Sequence, residues 1–354
     1  MMRAPTSFAV VVRRRDGALH VRERAMVDGR RGVARWPLVR GVASLVESLR
    51  LGSEALRFSA EQMERDFVAE EAEAKSAGGP GLGILGALGL SLFSATTADD
   101  GAPVQSAGGG RRVATLVMLL VAITFFVALP QGAAAGVNRL LGLGLEVQSP
   151  AFQAITGAFK LTIVVGYLLA IRRVPDIRRV FQYHGAEHKT ISTYEANEAL
   201  TVPNARAKTT MHPRCGTTFL VMVALVSILV FTGIGALLPR IHTGSALLDN
   251  LTFFVEKLPF LPVIAAVTFE IQRVFARYCT TGPLRVLLWP GFLVQKITTA
   301  EPDDAQLEVA LASLRATLFR QERGAEGEGV GGGGDVTFAT YDALLTADRL
   351  RPAA

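Results

Sequence analysis

Apolar and polar positions along this chain fall into blocks rather than mixing evenly. Near the start, Phe8-Ala-Val-Val-Val12 and Ala18-Leu-His-Val-Arg22 flank Arg15-Asp16-Gly17, a hairpin turn signal, and predict a small β element. Trp36-Pro37-Leu38 breaks the chain. Beyond it Val42, Leu45, Val46, Leu49, Leu56 and Phe58 recur at roughly helical spacing, with Arg40, Glu47, Arg50, Glu54 and Arg57 elsewhere around the wheel. The spacing predicts an amphipathic helix over 39–58, lying on a membrane or on the domain, that continues in acidic form over 61–73. Residues 76–110 are rich in Gly, Ala and Ser and read as a linker or insert. The apolar stretch 82–95 within them, interrupted by Gly83, Gly86 and Gly89, reads as low-complexity or interfacial.

Four longer apolar runs follow, at 113–129, about 152–171, 217–238 and about 260–276. The first is slightly short for a hydrocarbon core of about 30 Å. The second contains Lys160, close enough to one end for its ammonium to snorkel. The fourth carries Glu270 near its inner end. The stretch 284–294, broken by Pro290-Gly291, is too short to cross and reads as re-entrant or interfacial. Asp303-Asp304 can cap a helix through about Phe319, with Leu307, Val309, Leu311 and Leu314 as packing positions. A Gly-rich run, 324–334, leads into a tail expected to be flexible to residue 354.

Composition supports a membrane reading. Half of the 354 residues are hydrophobic, only 19% are charged, and the mean hydropathy is +0.34. A net charge of +6 would suit a nucleic-acid binder, but the arginines sit in pairs beside apolar runs, at Arg111-Arg112, Arg172-Arg173 and Arg178-Arg179. Topology accounts for them better than phosphate contacts, so no nucleic-acid partner is expected. The stretches before the first span, between the second and third (172–214), and after the fourth (Arg277, Arg285) carry the positive charge, whereas 130–151 and 239–259 are poorer in it. The positive-inside rule then places both termini and the loop 172–215 in the cytoplasm. The two cysteines, Cys215 and Cys279, imply no disulfide framework and fall on that reducing side. No signal peptide is read, because the short run Phe8 to Val12 is followed by Arg13-Arg14-Arg15.

The expected fold class is a mainly α-helical integral membrane protein with about four transmembrane helices, a small N-terminal β element and a cytoplasmic C-terminal helix. Its expected organisation is a hairpin plus amphipathic helix (1–75), the insert (76–110), a membrane domain (111–296), the cytoplasmic helix (297–323) and the tail (324–354).

One motif carries chemistry. His184-Gly-Ala-Glu187-His188 is an H-x-x-E-H arrangement, the inverse of the H-E-x-x-H signature of zinc peptidases. On a helix its two histidines share a face and can bind one ion, and Glu187 stands where a carboxylate could activate water. Three of the five histidines, His184, His188 and His212, fall in the loop 172–215, and His212-Pro-Arg-Cys215 adds a thiolate. Candidate ligands for a divalent metal, zinc by chemistry, are therefore His184, His188, His212 and Cys215, with Glu187 as the catalytic group. Glu195, about two helical turns beyond His188, is a further ligand or a hydrogen-bond partner that orients one. A catalytic zinc needs three protein ligands and an open position, whereas a closed set of two histidines, His212 and Cys215 would be structural. Glu270 either pairs with Arg273 or, facing the cluster, supplies a distant carboxylate ligand. His20 and His242 read as ordinary surface residues. The Gly-rich runs lack the Lys-Ser/Thr ending of a phosphate-binding loop.

The blocks Phe181-Gln-Tyr-His-Gly-Ala-Glu-His-Lys189, His212-Pro-Arg-Cys-Gly-Thr217 and Thr298-Thr-Ala-Glu-Pro-Asp-Asp304, with Gln306-Leu-Glu-Val309, resemble the YqhQ-like family of bacterial membrane proteins. Met1-Met-Arg-Ala-Pro and Leu38-Val-Arg-Gly41 look similar too, so the resemblance covers about residues 1–320 apart from the insert. It implies a bacterial inner membrane protein of a family described as uncharacterised or as predicted metal-dependent enzymes. The family opens with a segment of the type Gly-Gly-Gln-Ala, absent here, so a start further upstream is expected.

Three functions compete. A membrane-embedded, metal-dependent hydrolase would act on a peptide or protein substrate at the cytoplasmic face. A non-enzymatic scaffold would use a structural metal to staple the histidine loop while soluble parts bind a partner. A transporter rests on Lys160 and Glu270 alone, with no visible inverted repeat.

Overall fold

The computed structural model describes residues 1–26, 36–76, 117, 121, 124–234, 244–280, 282–323 and 333–347. The chain runs β1 (Met2–Arg3), β2 (Ser7–Arg13), β3 (Leu19–Ala25), α1 (Val39–Ser76), α2 (Leu129–Leu140) and α3 (Pro150–Ile171). It continues through α4 (Pro175–Glu195), α5 (Val202–Arg206), α6 (Gly216–Ile234), α7 (Ala246–Lys257) and α8 (Phe260–Tyr278). A 3₁₀ turn (Pro283–Leu288) leads to α9 (Trp289–Thr298), followed by α10 (Asp304–Arg323), β4 (Gly333–Phe338) and α11 (Tyr341–Thr346).

The N-terminal β element exists and is larger than a hairpin. Gly17, at φ 87°, makes the turn between β2 and β3 at a conformation that favours glycine, and Asp16 Oδ1 accepts the Ala18 N–H at 2.9 Å. The four strands form an antiparallel sheet in the order β1-β2-β3-β4. β4 corrects the expectation that 324–354 is flexible throughout. Its Val336 pairs with Val21, and Arg22 Nε meets Asp335 Oδ1 at 2.8 Å, because β3 would otherwise offer an unpaired edge. Thr340 then caps α11, which buries Leu344 completely.

Strand alternation buries both faces of this sheet. Ala9, Val11, Leu19 and Val21 pack on Val309, Ala312, Ala316 and Phe319 of α10. Phe8 and Val10 point the other way, onto Leu51 and Phe58 of α1. Asp303 and Gln306 exchange side-chain-to-backbone hydrogen bonds of 2.8 and 3.0 Å, a capping box that starts α10. In α1 the face against the sheet runs through Leu51, Ala55, Phe58 and Gln62, so Val42, Val46, Leu49 and Leu56 are exposed instead.

The apolar helices form the other half of the fold. By length and composition α3 can cross a membrane, and the bent pair Leu251–Lys257 with Phe260–Tyr278 also passes; Val221–Ile234 is apolar but shorter. The expected span 113–129 lies largely outside the described residues, as do 235–238, 77–110 and His242. Gly157 of α3 packs so closely on α6 that a Cβ would lie 2.6 Å from Ile228. Val226 and Phe231 of α6 meet Ile264 of α8. Gly41 rests on Phe269 and Ala266 of α8, and Arg40 Nε donates to Glu270 Oε1 at 2.6 Å, so α1 is moored to that helix.

Candidate metal centre

Most of the expected histidine loop is helical. Pro175, at the first turn of α4, lacks an N–H that would go unused there, and Asp176 complements the helix dipole. On this helix His184 and His188 stand on one face with ring centroids 4.4 Å apart. Between them Gly185 has a steric reason. A Cβ there would lie 2.2 Å from the Ala300 carbonyl oxygen, so α4 lies directly on the backbone after α9. That contact is secured by the Ala300 N–H donating to the Phe181 carbonyl at 2.9 Å. Next to it, buried Lys189 donates to the Arg206 carbonyl at 2.9 Å and pairs with Glu301.

Three donors converge. His184, His188 and Cys215 place one ligand atom each within 4.8 Å of one another, and Cys215 Sγ lies 3.2 Å from His184 Nε2. Donors sharing one tetrahedral zinc sit about 3.5 Å apart, given bonds of about 2.1 Å to nitrogen and 2.3 Å to sulfur. The arrangement therefore fits a divalent ion. The fit extends to the tautomers. His184 Nδ1 lies 2.9 Å from the Thr298 carbonyl and His188 Nδ1 lies 2.5 Å from the Thr210 carbonyl. A carbonyl only accepts, so each Nδ1 carries the proton and each Nε2 keeps its lone pair for the centre.

Electrostatics point the same way. Burial alone would push the Cys215 thiol up, but hydrogen bonds and fields from His184 and His188 outweigh it and bring it down to about 5. Burial favours the neutral His184 ring, yet Cys215, the Thr298 carbonyl and Glu187 together raise its pKa above the usual value. The Cys215 thiol is thus drawn toward its thiolate and the His184 ring toward its protonated form. A cation that takes up the thiolate would also displace that ring proton.

The remaining expected residues fall around this trio. His212 is buried with its ring 5.9 Å from that of His188, but both its nitrogens are engaged elsewhere. Its Nε2 donates to Glu195 Oε2 at 3.1 Å, and its Nδ1 accepts the Arg214 N–H at 3.3 Å. Glu195 also meets Arg214 at 2.5 Å, so it holds His212 rather than joining the donors. Burial lowers the His212 pKa against the opposing pull of Glu195. Glu187, more exposed than His188, accepts from the Met1 α-amino group through Oε1 at 2.7 Å. Glu270 pairs with Arg40 and lies outside the centre.

Sequence reasoning missed the residues that hold the donors in place. Gln295 of α9 is fully buried, accepts the His212 N–H at 2.7 Å, and donates to the His212 carbonyl at 2.8 Å and to Thr218 Oγ1 at 2.7 Å. A polar side chain in an otherwise apolar stretch was the available signal. Gln272 Nε2 similarly donates to the Cys215 carbonyl at 3.0 Å. The carbonyls of Thr210 and Thr298 leave no trace in a sequence.

The family described as "Protein of unknown function (DUF1385)" matches residues 36–320, which include every residue of this centre. The chain is 30% identical over 300 residues to "Uncharacterized protein YqhQ" of Bacillus subtilis (strain 168), covering 81% of this chain and 78% of that protein. No solved structure matches. With the match spanning most of its length, and the YqhQ resemblance with it, the chain belongs to the DUF1385 family.

Proposed function

We propose that this chain is a multi-pass protein of the bacterial inner membrane, with both termini cytoplasmic, and a metal-dependent hydrolase acting on a peptide or protein substrate at the cytoplasmic face. The observation that carries the reading is the convergence of three donors, His184, His188 and Cys215, while His212 is turned to Glu195 and Arg214. Three donors leave a tetrahedral ion one open position, the condition for catalysis rather than a closed clip. The span α3 and the positive stretches around α4 support the membrane assignment.

His184, His188 and Cys215 would hold zinc, which supplies Lewis-acid polarisation of a scissile carbonyl when bound. The chain's own residues do the rest. The Thr298 and Thr210 carbonyls hold the two Nδ1 positions and so aim both Nε2 atoms at the centre. The Glu187 carboxylate takes a proton from the attacking water as its oxygen bonds to the carbonyl carbon, then returns it to the departing amine nitrogen. No proton is lost or gained over the cycle.

A second reading has support in the burial of His188 and Cys215, at 4% and 5% exposure, which also suits a structural metal in a non-enzymatic scaffold. Metal analysis of purified wild type and Glu187→Gln, with a fluorogenic peptide library as substrate, separates the two. The hydrolase reading expects equal, stoichiometric zinc in both and cleavage by wild type alone. Zinc without cleavage by wild type leaves the scaffold, and wild type without metal across several buffers refutes both.

A further inference from the structure

The polarity of α9 is inverted for a surface helix in water. Gly291, Gln295 and Thr298 lie on one side of it and are buried, Gln295 clamping His212 and Thr298 holding the His184 ring. Trp289, Leu293 and Lys296 recur at the same spacing on the opposite side and are exposed. The 3₁₀ turn before α9 adds exposed Leu284, Val286 and Leu287. Five large apolar side chains therefore stand out from the ten residues 284–293, Val286 at 62% exposure and Trp289 at 56%. Single exposed apolar residues are ordinary, but a cluster of this kind marks an interaction surface.

Its place in the fold says what it meets. Arg172, just past the C-terminal end of α3, donates to the Ile297 carbonyl at 3.2 Å. Gly291 abuts Thr218 near the start of α6, and the 3₁₀ turn follows the end of α8 after residues 279–282. The elbow made by the turn and α9 thus sits where the C-terminal ends of α3 and α8 meet the N-terminal end of α6. From Ile271 to Ala300 the chain has four cations, Arg273, Arg277, Arg285 and Lys296, and no Asp or Glu. Arg285 lies along the Phe292 ring and Arg277 along Tyr278, with Cζ 6.0 and 5.5 Å from the ring centres. Apolar, aromatic and cationic groups share one surface, as at a membrane interface. A second copy docked there about a two-fold axis would set cations against cations, whereas an anionic leaflet complements them.

We infer that the elbow 283–293 is seated in the cytoplasmic leaflet of the bilayer, with Leu284, Val286, Leu287, Trp289 and Leu293 among the acyl chains and Arg277, Arg285 and Lys296 at anionic headgroups. Interfacial helices of this kind bury their apolar side about 5–10 Å into the boundary between headgroups and acyl chains. Leu293 and Thr298 are only about 8 Å apart along the axis of α9, so this seating sets the metal centre at the bilayer surface. The inference rests on the reading of α3 and α8 as spans with their C-terminal ends cytoplasmic, and is independent of the hydrolase chemistry.

The full chain with Trp36→Phe, at an exposed position, keeps Trp289 as its single tryptophan. In nanodiscs of phosphatidylcholine and phosphatidylglycerol its fluorescence should fall by about half or more when the lipids carry bromine near the headgroup end of the acyl chains, and by less when bromine sits near the methyl end. Leu284→Glu/Leu287→Glu in the same background should at least halve that quenching while the spans keep the chain in the disc. No quenching of Trp289 by either lipid, or quenching untouched by the two glutamates, would overturn the seating. Quenching lost in discs loaded with two copies would make a second copy the occupant and overturn it as well. Should the double variant not fold, photo-crosslinking of wild type decides: a lipid with a photoreactive group on its acyl chain should label peptides within 283–293, and no label there overturns the seating. A chain that stays monodisperse in buffer without lipid or detergent would instead overturn the span reading, a failure distinct from an unquenched Trp289 in a reconstituted chain.

Discussion

Gly185 offers the sharpest test of how the centre is held. A Cβ at this position would sit 2.2 Å from the Ala300 carbonyl oxygen, which is backbone and cannot rotate away. Reaching ordinary van der Waals contact requires α4 and the 298–300 segment to separate by more than about 1 Å. Thr298, two residues before Ala300, carries the carbonyl that fixes the His184 ring at 2.9 Å, so the same movement breaks or misdirects that hydrogen bond. Metal ligand distances tolerate only about ±0.2 Å, and losing such an outer-shell contact costs about 10–100-fold in affinity. Gly185→Ala should therefore weaken zinc binding by that factor in a chelator-competition titration, while all three donors remain present. Gly166→Ala is the control, since nothing lies within 4 Å of a Cβ there. Wild-type zinc affinity in Gly185→Ala would refute the claim that Ala300 and Thr298 position this centre.

Other expectations follow from the same geometry. His188→Ala and Cys215→Ser should each abolish stoichiometric zinc, whereas His212→Ala should retain it; zinc loss in His212→Ala to the same extent would place that ring among the ligands. In metal-free protein with Cys279→Ser, the ultraviolet thiolate absorbance of Cys215 should persist from neutral pH and disappear as pH falls through about 5. The sign follows from a depressed folded-state pKa: the stabilisation is complete above the thiol's ordinary 9.0 and is lost progressively as pH falls to about 5. A thiolate signal that vanishes near pH 8 instead would contradict the pairing with His184 and His188. Gln295→Leu should destabilise the protein by about 1–3 kcal/mol or more, because it leaves the buried amide and carbonyl of His212 without partners. An unchanged thermal midpoint in that variant would show that water or a neighbour replaces the clamp.

Periodicity made some of this molecule readable and left other parts silent. The four-residue spacing of His184 and His188 put both on one helix face, because four residues are close to one turn. Nearness of Cys215 could be suspected from the sequence, but the choice between it and His212 could not. That choice depends on the turn at 212–215, where Arg214 occupies one His212 nitrogen and Glu195 the other. For α1 the apolar spacing was visible, but not which side met the sheet. Leu51 and Phe58 won because Phe8 and Val10 stand opposite them. β4 lay behind a Gly-rich run, and its pairing with β3 depends on strands more than 300 residues apart in the chain.

The centre's donors reach it from two separate segments, and backbone groups from a third hold them. α4 supplies both histidines, the 210–215 segment supplies Cys215 and the carbonyl on His188, and α9 supplies the carbonyl on His184 and the Gln295 clamp. The contacts made through α9 require it to pack on α6, where Gly291 allows an approach so close that a Cβ would lie 2.3 Å from Thr218 Cγ2. The site is therefore not preformed in any one segment, and an ion bound there adds its binding energy to the closure of all three. It follows that zinc should protect the amides of α9 and of residues 210–215 from hydrogen exchange more than those of α10, whose capping box and sheet contacts form without it. Uniform protection across all three would mean that the centre and the α10 layer close as a single unit.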